Sequence, residues 1–224
     1  MIKNISNLGD AALYCDFGTE VNKDVNSKVI RYFKSIQREK IIGVNNLAPS
    51  YNKLIISFDM KKNNFNNIKK IIENLNIIHI DELESKIIKI PVCCNEKFSL
   101  DIKRLEVLLK IKEDKIFEHF FNKEFFCYMT GFIAGMPFLG DLEKNLRVKR
   151  LETPRVKVPK GSIGITEQFT NIYTFESPGG WNIIGNTPCK IFSSSNEAKP
   201  NLINPGDIVI FERITKDQYD NYNE

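Results

Sequence analysis

The chain has 224 residues, of which 42% are hydrophobic and 27% charged, as in a globular protein with one large domain or two small ones. Its net charge is +4, but the lysines are dispersed among Asn and Ile and form no basic stripe with interleaved aromatics, which argues against nucleic-acid binding. Gly9-Asp10 falls where a signal peptide needs its apolar stretch, and there is no run of about 18 apolar residues. We therefore expect a cytoplasmic protein that does not contact a membrane.

The five cysteines show neither CxxC spacing nor a neighbouring His pattern. A tetrahedral metal site is therefore not expected, and the thiols are predicted to be free in a reducing compartment. The alternative is a strained disulfide between the two adjacent cysteines. The five are Cys15, Cys93, Cys94, Cys127 and Cys189.

Alternating strand and helix patterns fill the first part of the chain. A first helix is predicted behind an Asn26-Ser27 cap, with Val29 and Ile36 on its apolar face, and a second helix carries Ile68 and Ile72. Together these patterns predict a small α/β domain over residues 1–92. Its strands are expected at residues 13–16, 54–58, 77–80 and 86–92.

The second domain is predicted to span residues 93–224. Ser99 is predicted to cap a helix with Asp101 in its first turn, and a short helix follows at residues 113–121. Turn signals then recur about every ten residues, which indicates a β-barrel or sandwich. The polar tail at residues 216–224 is expected to fray. The strands are expected at residues 155–158, 163–165, 171–175, 181–184 and 208–212.

The segment Ser177-Pro178-Gly179-Gly180-Trp181 is the most informative motif, because it places the single Trp directly after a predicted turn. Proline fixes one backbone angle and two glycines permit positive φ, so a tight turn could present bare N–H groups beside a large aromatic side chain. Such a turn could bind an anion or a carbonyl group. The alternative is a hairpin turn whose Trp packs in the core.

Three further side chains are candidates for chemistry. Glu176 could act as a base, bind an amide N–H or satisfy the loop that follows it. Arg155 could clamp a carboxylate or phosphate through its planar guanidinium, or form a surface salt bridge. His119 could act in the site or serve as the charge at a helix C-terminus. Lys160-Gly161-Ser162 resembles the end of a phosphate-binding loop but lacks the upstream glycine and the following helix.

An ordered series of motifs along nearly the whole chain resembles the family of allophanate hydrolase subunit 1, the B subunit of bacterial 5-oxoprolinase and the sporulation kinase inhibitor, which also occurs within urea carboxylase. The motifs include Leu8-Gly9-Asp10, Pro49-Ser50-Tyr51, Ile90-Pro91-Val92, His119, Gly131-Phe132, Thr153-Pro154-Arg155, Gly161-Ser162-Ile163-Gly164-Ile165, residues 176–181, Thr187-Pro188 and Pro205-Gly206-Asp207.

The resemblance implies an α+β protein with a small N-terminal α/β domain and a C-terminal cyclophilin-like β-barrel. It implies a subunit, inactive alone, of an enzyme that opens the 5-oxoproline lactam to glutamate at the expense of ATP. The implied partners are a homologous cyclophilin-like subunit and a subunit that resembles a lactam-utilisation protein. The implied catalytic residues are Glu176 and His119, and the implied substrate-binding residues are Arg155, Ser177, Gly179, Gly180, Trp181 and Thr187.

The chain also departs from the family pattern. Family members carry Gln-Thr-Gly-Ile-Tyr where this chain has Phe169-Thr170-Asn171-Ile172-Tyr173, and Gly-Arg-Thr-Pro where it has Gly185-Asn186-Thr187-Pro188. These losses of an amide and a guanidinium favour a non-catalytic alternative, a regulator that binds and inhibits a sensor histidine kinase. Two further alternatives are a subunit of an allophanate or urea amidohydrolase and a stand-alone peptidyl-prolyl isomerase, the latter suggested by fold alone.

Overall fold

A computed structural model describes residues 1–79, 85–196 and 198–222. The chain divides into two compact units, Met1–Ser85 and Lys86–Glu224. The sequence-based boundary at residues 92 and 93 lies inside the strand Ile87–Cys93, which pairs with strands of the second unit. No helix in the described ranges is long and apolar enough to span a bilayer.

The N-terminal unit is an antiparallel sheet in the order β1-β2-β4-β3, with two helices packed against one face. Alternate residues such as Leu13, Cys15 and Leu54 are fully buried, because successive strand side chains point to opposite faces. The elements are β1 (Asn4–Asn7), β2 (Ala12–Asp16), α1 (Lys23–Glu39), β3 (Val44–Pro49), β4 (Lys53–Phe58) and α2 (Phe65–Glu73).

The start of α1 lies one turn before the predicted cap. Asn22 has extended backbone angles, and its side chain accepts a hydrogen bond from the Val25 N–H at 2.9 Å. The predicted cap residue Asn26 is instead fully buried inside the helix, where its Nδ2 donates to the carbonyls of Ser50 and Tyr51. The predicted strand at residues 77–80 is also wrong for residues 77–79, which form no strand, and residue 80 lies outside the described residues.

The C-terminal unit is built on a closed barrel with the strand order β10-β7-β6-β13-β5-β12-β9, which confirms the predicted α+β class. Neighbouring strands are antiparallel except β5 and β13, which run parallel. A separate two-stranded ribbon pairs β8 with β11. The strands are β5 (Ile87–Cys93), β6 (Glu124–Thr130), β7 (Pro137–Gly140), β8 (Arg155–Val158), β9 (Ser162–Thr166), β10 (Phe169–Ile172), β11 (Ser177–Gly179), β12 (Asn182–Asn186) and β13 (Ile208–Ile214).

The barrel interior is filled with aliphatic and aromatic side chains, and two helices extend the same core. The helix α3 (Ile102–Leu109) contributes Leu105, and α4 (Glu113–Phe121) contributes Phe120, which stacks on Phe211 of β13 with ring centroids 5.0 Å apart. A short 3-10 helix, Lys144–Leu146, contacts α4.

Two local predictions in this unit are corrected. Ser99 does not cap α3, because its hydroxyl donates to the Ile184 carbonyl and Asp101 occupies the cap position without a side-chain cap bond. The tail is not simply frayed, because residues Lys216–Asp220 form α5 with a complete capping box between Thr215 and Gln218.

Candidate functional site

The β8–β11 ribbon packs against the outer side of the barrel at Tyr173, which follows β10, and at Ile183 of β12. Along β10 and beyond it, Ile172 points into the barrel core while Asn171 and Tyr173 point to the opposite face, as the two-residue period of a strand requires. Tyr173 packs there with Val158 of the ribbon and with Ile183 of β12. We call the space between this face and the ribbon the outer layer.

Missing Cβ atoms allow the outer layer to close tightly. A Cβ on Gly164 would lie 2.7 Å from Asn171 Oδ1 and 2.9 Å from Trp181 Cβ, and a Cβ on Gly179 would lie 2.1 Å from the Tyr173 hydroxyl oxygen. Neither Gly179 nor Gly180 has a positive φ, so strand β11 replaces the tight turn that the sequence predicts. The glycines here serve close packing and not an unusual backbone conformation.

The buried carboxylate of Asp101 binds the guanidinium of Arg155. Its Nη2 donates to Asp101 Oδ1 at 2.6 Å, and Asp101 Oδ2 accepts from the Ile183 N–H at 2.7 Å. The Asp101 side chain is 4% exposed and that of Arg155 28%, so this is no surface ion pair. Both oxygens of the buried Asp101 carboxylate are therefore satisfied.

Other polar atoms of the outer layer are buried without hydrogen-bond partners among the described residues. They are Arg155 Nη1, Ser177 Oγ and both polar atoms of the Asn171 carboxamide, which lies beside the Tyr173 hydroxyl without a bond of standard geometry. Each such buried group costs about 1–3 kcal/mol. Because three side chains carry this cost in one layer, the layer is a candidate for ligand recognition.

The Tyr173 hydroxyl links the two sides of this layer. Burial raises the pKa of Tyr173 above its ordinary value, while the Asn171 side chain and the charges of Arg150 and Arg155 lower it in part. The hydroxyl therefore stays protonated at neutral pH and can donate a hydrogen bond.

Trp181 closes one side of the outer layer. Its side chain is 5% exposed, its ring meets Phe138 edge to face at 5.6 Å, and the Arg150 guanidinium carbon lies 5.9 Å from the ring centroid. The preceding Gly180 carbonyl accepts from the Leu151 N–H at 2.7 Å. Trp181 is thus packed, as in the hairpin alternative. It also lies next to the candidate site, as in the ligand-binding alternative.

The remaining predicted site residues have partners of their own. Glu176 Oε1 is 2.8 Å from Lys157 Nζ, and both side chains are exposed. His119 lies on α4, with its Nδ1 2.9 Å from Glu143 Oε2. The Thr187 hydroxyl, just past β12, accepts from the Cys189 N–H.

The structure thus brings Arg155, Ser177, Gly179 and Trp181 to the outer layer. Sequence reasoning missed Asp101 and Asn171 as members of it. The signal for Asn171 was present, since a polar residue between Thr170 and Ile172 departs from the glycine of the family pattern. No local signal marks Asp101, because its partners Arg155 and Ile183 are more than 50 residues away.

Comparison with known proteins agrees with this architecture. Residues 3–203 match the family described as carboxyltransferase domain, subdomain C and D. The B subunit of 5-oxoprolinase from Bacillus subtilis (strain 168) is 32% identical over 232 residues, which cover 98% of this chain and 96% of that protein. The urea amidolyase of Saccharomyces cerevisiae (strain ATCC 204508 / S288c) is 21% identical over 96% of this chain but only 13% of its own length.

A solved structure shows the same fold. The crystal structure of TTHA0988 superposes with a TM-score of 0.83 at 24% identity, covering 92% of this chain and 40% of that one. The match over residues 3–203, together with the near full-length similarity to the Bacillus protein, shows that the chain belongs to the carboxyltransferase-domain family of subdomains C and D.

Proposed function

We propose that this chain is a subunit of an ATP-dependent 5-oxoprolinase, which opens the lactam of 5-oxo-L-proline to give L-glutamate. The observation that carries the proposal is the near full-length similarity to the B subunit of 5-oxoprolinase from Bacillus subtilis. The chain is inactive alone and acts beside a homologous cyclophilin-like subunit and a lactam-utilisation-like subunit. The outer layer supports the proposal with a guanidinium whose Nη1 has no partner and could take the substrate carboxylate.

The chemistry explains why an anion-binding subunit is needed. A lactam carbonyl is a poor electrophile. Transfer of a phosphoryl group from ATP to its oxygen would activate the carbonyl carbon, so that addition of one water breaks the C–N bond and frees the amine. A second water would then hydrolyse the resulting acyl phosphate to the carboxylate and inorganic phosphate. The enzyme must hold an anionic substrate in register with ATP and with a water molecule. In this scheme the present chain binds and orients the carboxylate substrate through Arg155.

The segment that resembles the end of a phosphate-binding loop is poorly suited to bind ATP. In the turn at Lys160-Gly161-Ser162, the Gly161 N–H donates to the Tyr173 carbonyl at 2.7 Å and the Ser162 N–H donates to the Pro159 carbonyl. These N–H groups are therefore not free to cradle phosphates. We assign the ATP site to another subunit of the complex.

The test is ATP-dependent formation of glutamate from 5-oxoproline by this chain co-expressed with its two proposed partners. Omission of each subunit in turn supplies the controls. We expect activity from the full set and its loss when this chain is left out. Absence of activity from a correctly assembled complex would overturn the proposal.

The same assay addresses the second candidate, a subunit of an allophanate or urea amidohydrolase. The similarity to yeast urea amidolyase along 96% of this chain favours it over the remaining alternatives. Ammonia release from allophanate or urea by the same complex, without glutamate formation from 5-oxoproline, would support this candidate instead.

A further inference from the structure

We propose that Asn171 is a specificity-determining residue, which reads the amide edge of a lactam carboxylate bound in the outer layer while Arg155 Nη1 takes its carboxylate. This inference rests on the proposed function, because it assigns residues of this chain to the recognition of 5-oxo-L-proline, the substrate of the proposed reaction.

The chemistry of a carboxamide matches that of a lactam. In a five-membered lactam the ring holds the amide cis, so its N–H and C=O groups point to the same side. The Asn171 carboxamide offers an adjacent donor and acceptor, Nδ2 and Oδ1, and the two groups can form a pair of parallel hydrogen bonds. Both atoms are buried without a bond of standard geometry, so this pairing breaks no existing hydrogen bond of that kind.

The second recognition point lies on the facing ribbon. Asp101 fixes the Arg155 guanidinium through Nη2, which leaves Nη1 as the unpartnered donor. Arg155 stands opposite Gly179 in the β8–β11 pairing, and Gly179 touches the Tyr173 hydroxyl, which lies beside Asn171. The Tyr173 hydroxyl therefore interacts with both the carboxamide and the guanidinium.

The ligand must displace the ribbon to enter, because the unpartnered atoms of Arg155, Asn171 and Ser177 are closed to solvent. The closed layer carries a free-energy cost, because these atoms have no hydrogen-bond partner while it is closed. They gain partners once water or ligand reaches them. Tyr173 and Trp181 pack beside Gly164 in this layer. Opening of the layer and binding of the ligand should therefore change the environment of Trp181, so the fluorescence of this single Trp can report binding.

The experiment is a titration of the purified full chain with three probes, followed by Trp181 fluorescence. The probes are 5-oxo-L-proline, 2-pyrrolidinone, which lacks the carboxylate, and L-proline, which lacks the lactam carbonyl. We expect a saturable change with 5-oxo-L-proline and at least tenfold weaker binding of each of the other two. Equal responses to all three probes, or no response to 5-oxo-L-proline, would overturn the inference.

Variants separate recognition from folding. Asn171→Leu keeps the side-chain size and removes the unpartnered polar atoms, so we expect an unchanged or raised melting temperature together with at least tenfold weaker 5-oxo-L-proline binding. Arg155→Gln should abolish the preference for 5-oxo-L-proline over 2-pyrrolidinone. Lys157→Gln, on the exposed side of the same ribbon, is the matched control and should bind normally. Wild-type binding by Asn171→Leu would refute the role of the carboxamide.

The outcomes also distinguish this inference from the proposed function. If the assembled complex forms glutamate but binding is unaffected by Asn171→Leu, the inference fails and the function stands. If the chain binds 5-oxo-L-proline through Asn171 but no complex forms glutamate, the function fails and the recognition site stands.

Discussion

Gly179 and Tyr173 show how one absent methyl group shapes the outer layer. The Tyr173 hydroxyl lies where a Cβ on residue 179 would be, at 2.1 Å, and its Cζ lies 2.8 Å from that position. No rotation of a flexible side-chain end removes both contacts, because the phenol ring is rigid and 1% exposed. Gly179 is therefore a steric requirement of the closed ribbon.

We expect Gly179→Ala to lower the free energy of unfolding by about 1–3 kcal/mol, because the new methyl group overpacks the layer. Urea unfolding measures the change. Gly180→Ala is the matched control, since its Cβ would meet nothing closer than 3.5 Å, and it should cost far less. In a Tyr173→Phe background the penalty at Gly179 should shrink, because the closest atom is gone; equal penalties in both backgrounds would contradict the contact.

Glu176 and Lys157 form an exposed ion pair, which contributes little to stability because water and salt screen it. Glu176→Gln should therefore leave folding and subunit assembly intact. If Glu176 acts in catalysis as the family resemblance implies, glutamate formation by the assembled complex should fall at least tenfold. Lys157→Gln breaks the same ion pair and should leave turnover unchanged, and a loss of assembly in Glu176→Gln would instead mark the residue as structural.

The cysteines differ in accessibility. Burial raises the pKa of Cys15 and of Cys94 to about 12 and raises that of Cys127 as well, whereas Cys189 is only partly buried. Because the thiolate is the reactive form, these three buried thiols should resist modification near pH 8, and burial also shields Cys93 from the reagent. We expect an aromatic disulfide reagent to label one thiol rapidly in the native protein, and Cys189→Ser to remove that phase. Two or more rapid thiols would contradict the burial.

At the scale of elements, α5 shows how a short polar tail becomes ordered. Five residues are too few for a helix that is stable alone, so the capping box and tertiary contacts must supply the stability. Tyr219 supplies them, with its ring 4.5 Å from Phe98 and its hydroxyl donating to Asn186 Oδ1 at 2.8 Å. The Asn186 Nδ2 in turn donates to the Lys160 carbonyl.

This network gives Asn186 a structural role. Tyr219→Phe should lower the free energy of unfolding by about 1 kcal/mol, because it leaves Asn186 Oδ1 without its donor. Limited proteolysis should then release the C-terminal residues faster. Tyr222→Phe, at a more exposed tyrosine of the same tail, is the control and should change stability by less than about 0.5 kcal/mol. An unaltered Tyr219→Phe protein would show that ring packing alone holds the helix.

At the scale of the whole molecule, local patterns predicted much of the element content. The strand Arg155–Val158 and the helix Glu113–Phe121 have the predicted bounds, because apolar periodicity and turn residues are encoded within each segment. The outer layer could be predicted only in part. Residues near the Pro-Gly-Gly segment carried a visible signal, whereas the Asp101–Arg155 ion pair joins positions 54 residues apart.

Closure of the barrel depends on a pairing between strands that are far apart in the sequence, which local patterns cannot predict. The strand β5 runs parallel to β13, with Ile87 beside Ile208 and Cys93 beside Ile214, so its partner lies more than 100 residues away. Local patterns place this strand with the α/β region that it follows, because no residue within the segment indicates its pairing partner. Long-range pairing of this kind is invisible to periodicity, and it joins β5 to the unit Lys86–Glu224.

The pairing of β5 therefore determines where the chain can be divided. Each unit has its own buried core, so fragments 1–85 and 86–224 should each fold and unfold cooperatively. Fragment 93–224 keeps only Cys93 of β5. It lacks the other residues of this strand, among them the fully buried Ile90 and Val92. Its barrel would be open between β12 and β13, with two exposed strand edges and a lost part of the core.

We expect fragment 86–224 to show the near-ultraviolet circular dichroism of a packed Trp181 and a single urea transition, and fragment 93–224 to show neither. Both fragments carry the same Trp, so the comparison isolates the seven residues between them. Adding a synthetic peptide of residues 86–93 to the shorter fragment should restore part of the signal, because β5 pairs through its backbone with both neighbours. A folded 93–224 fragment would mean that β5 is dispensable and that barrel closure does not define the unit.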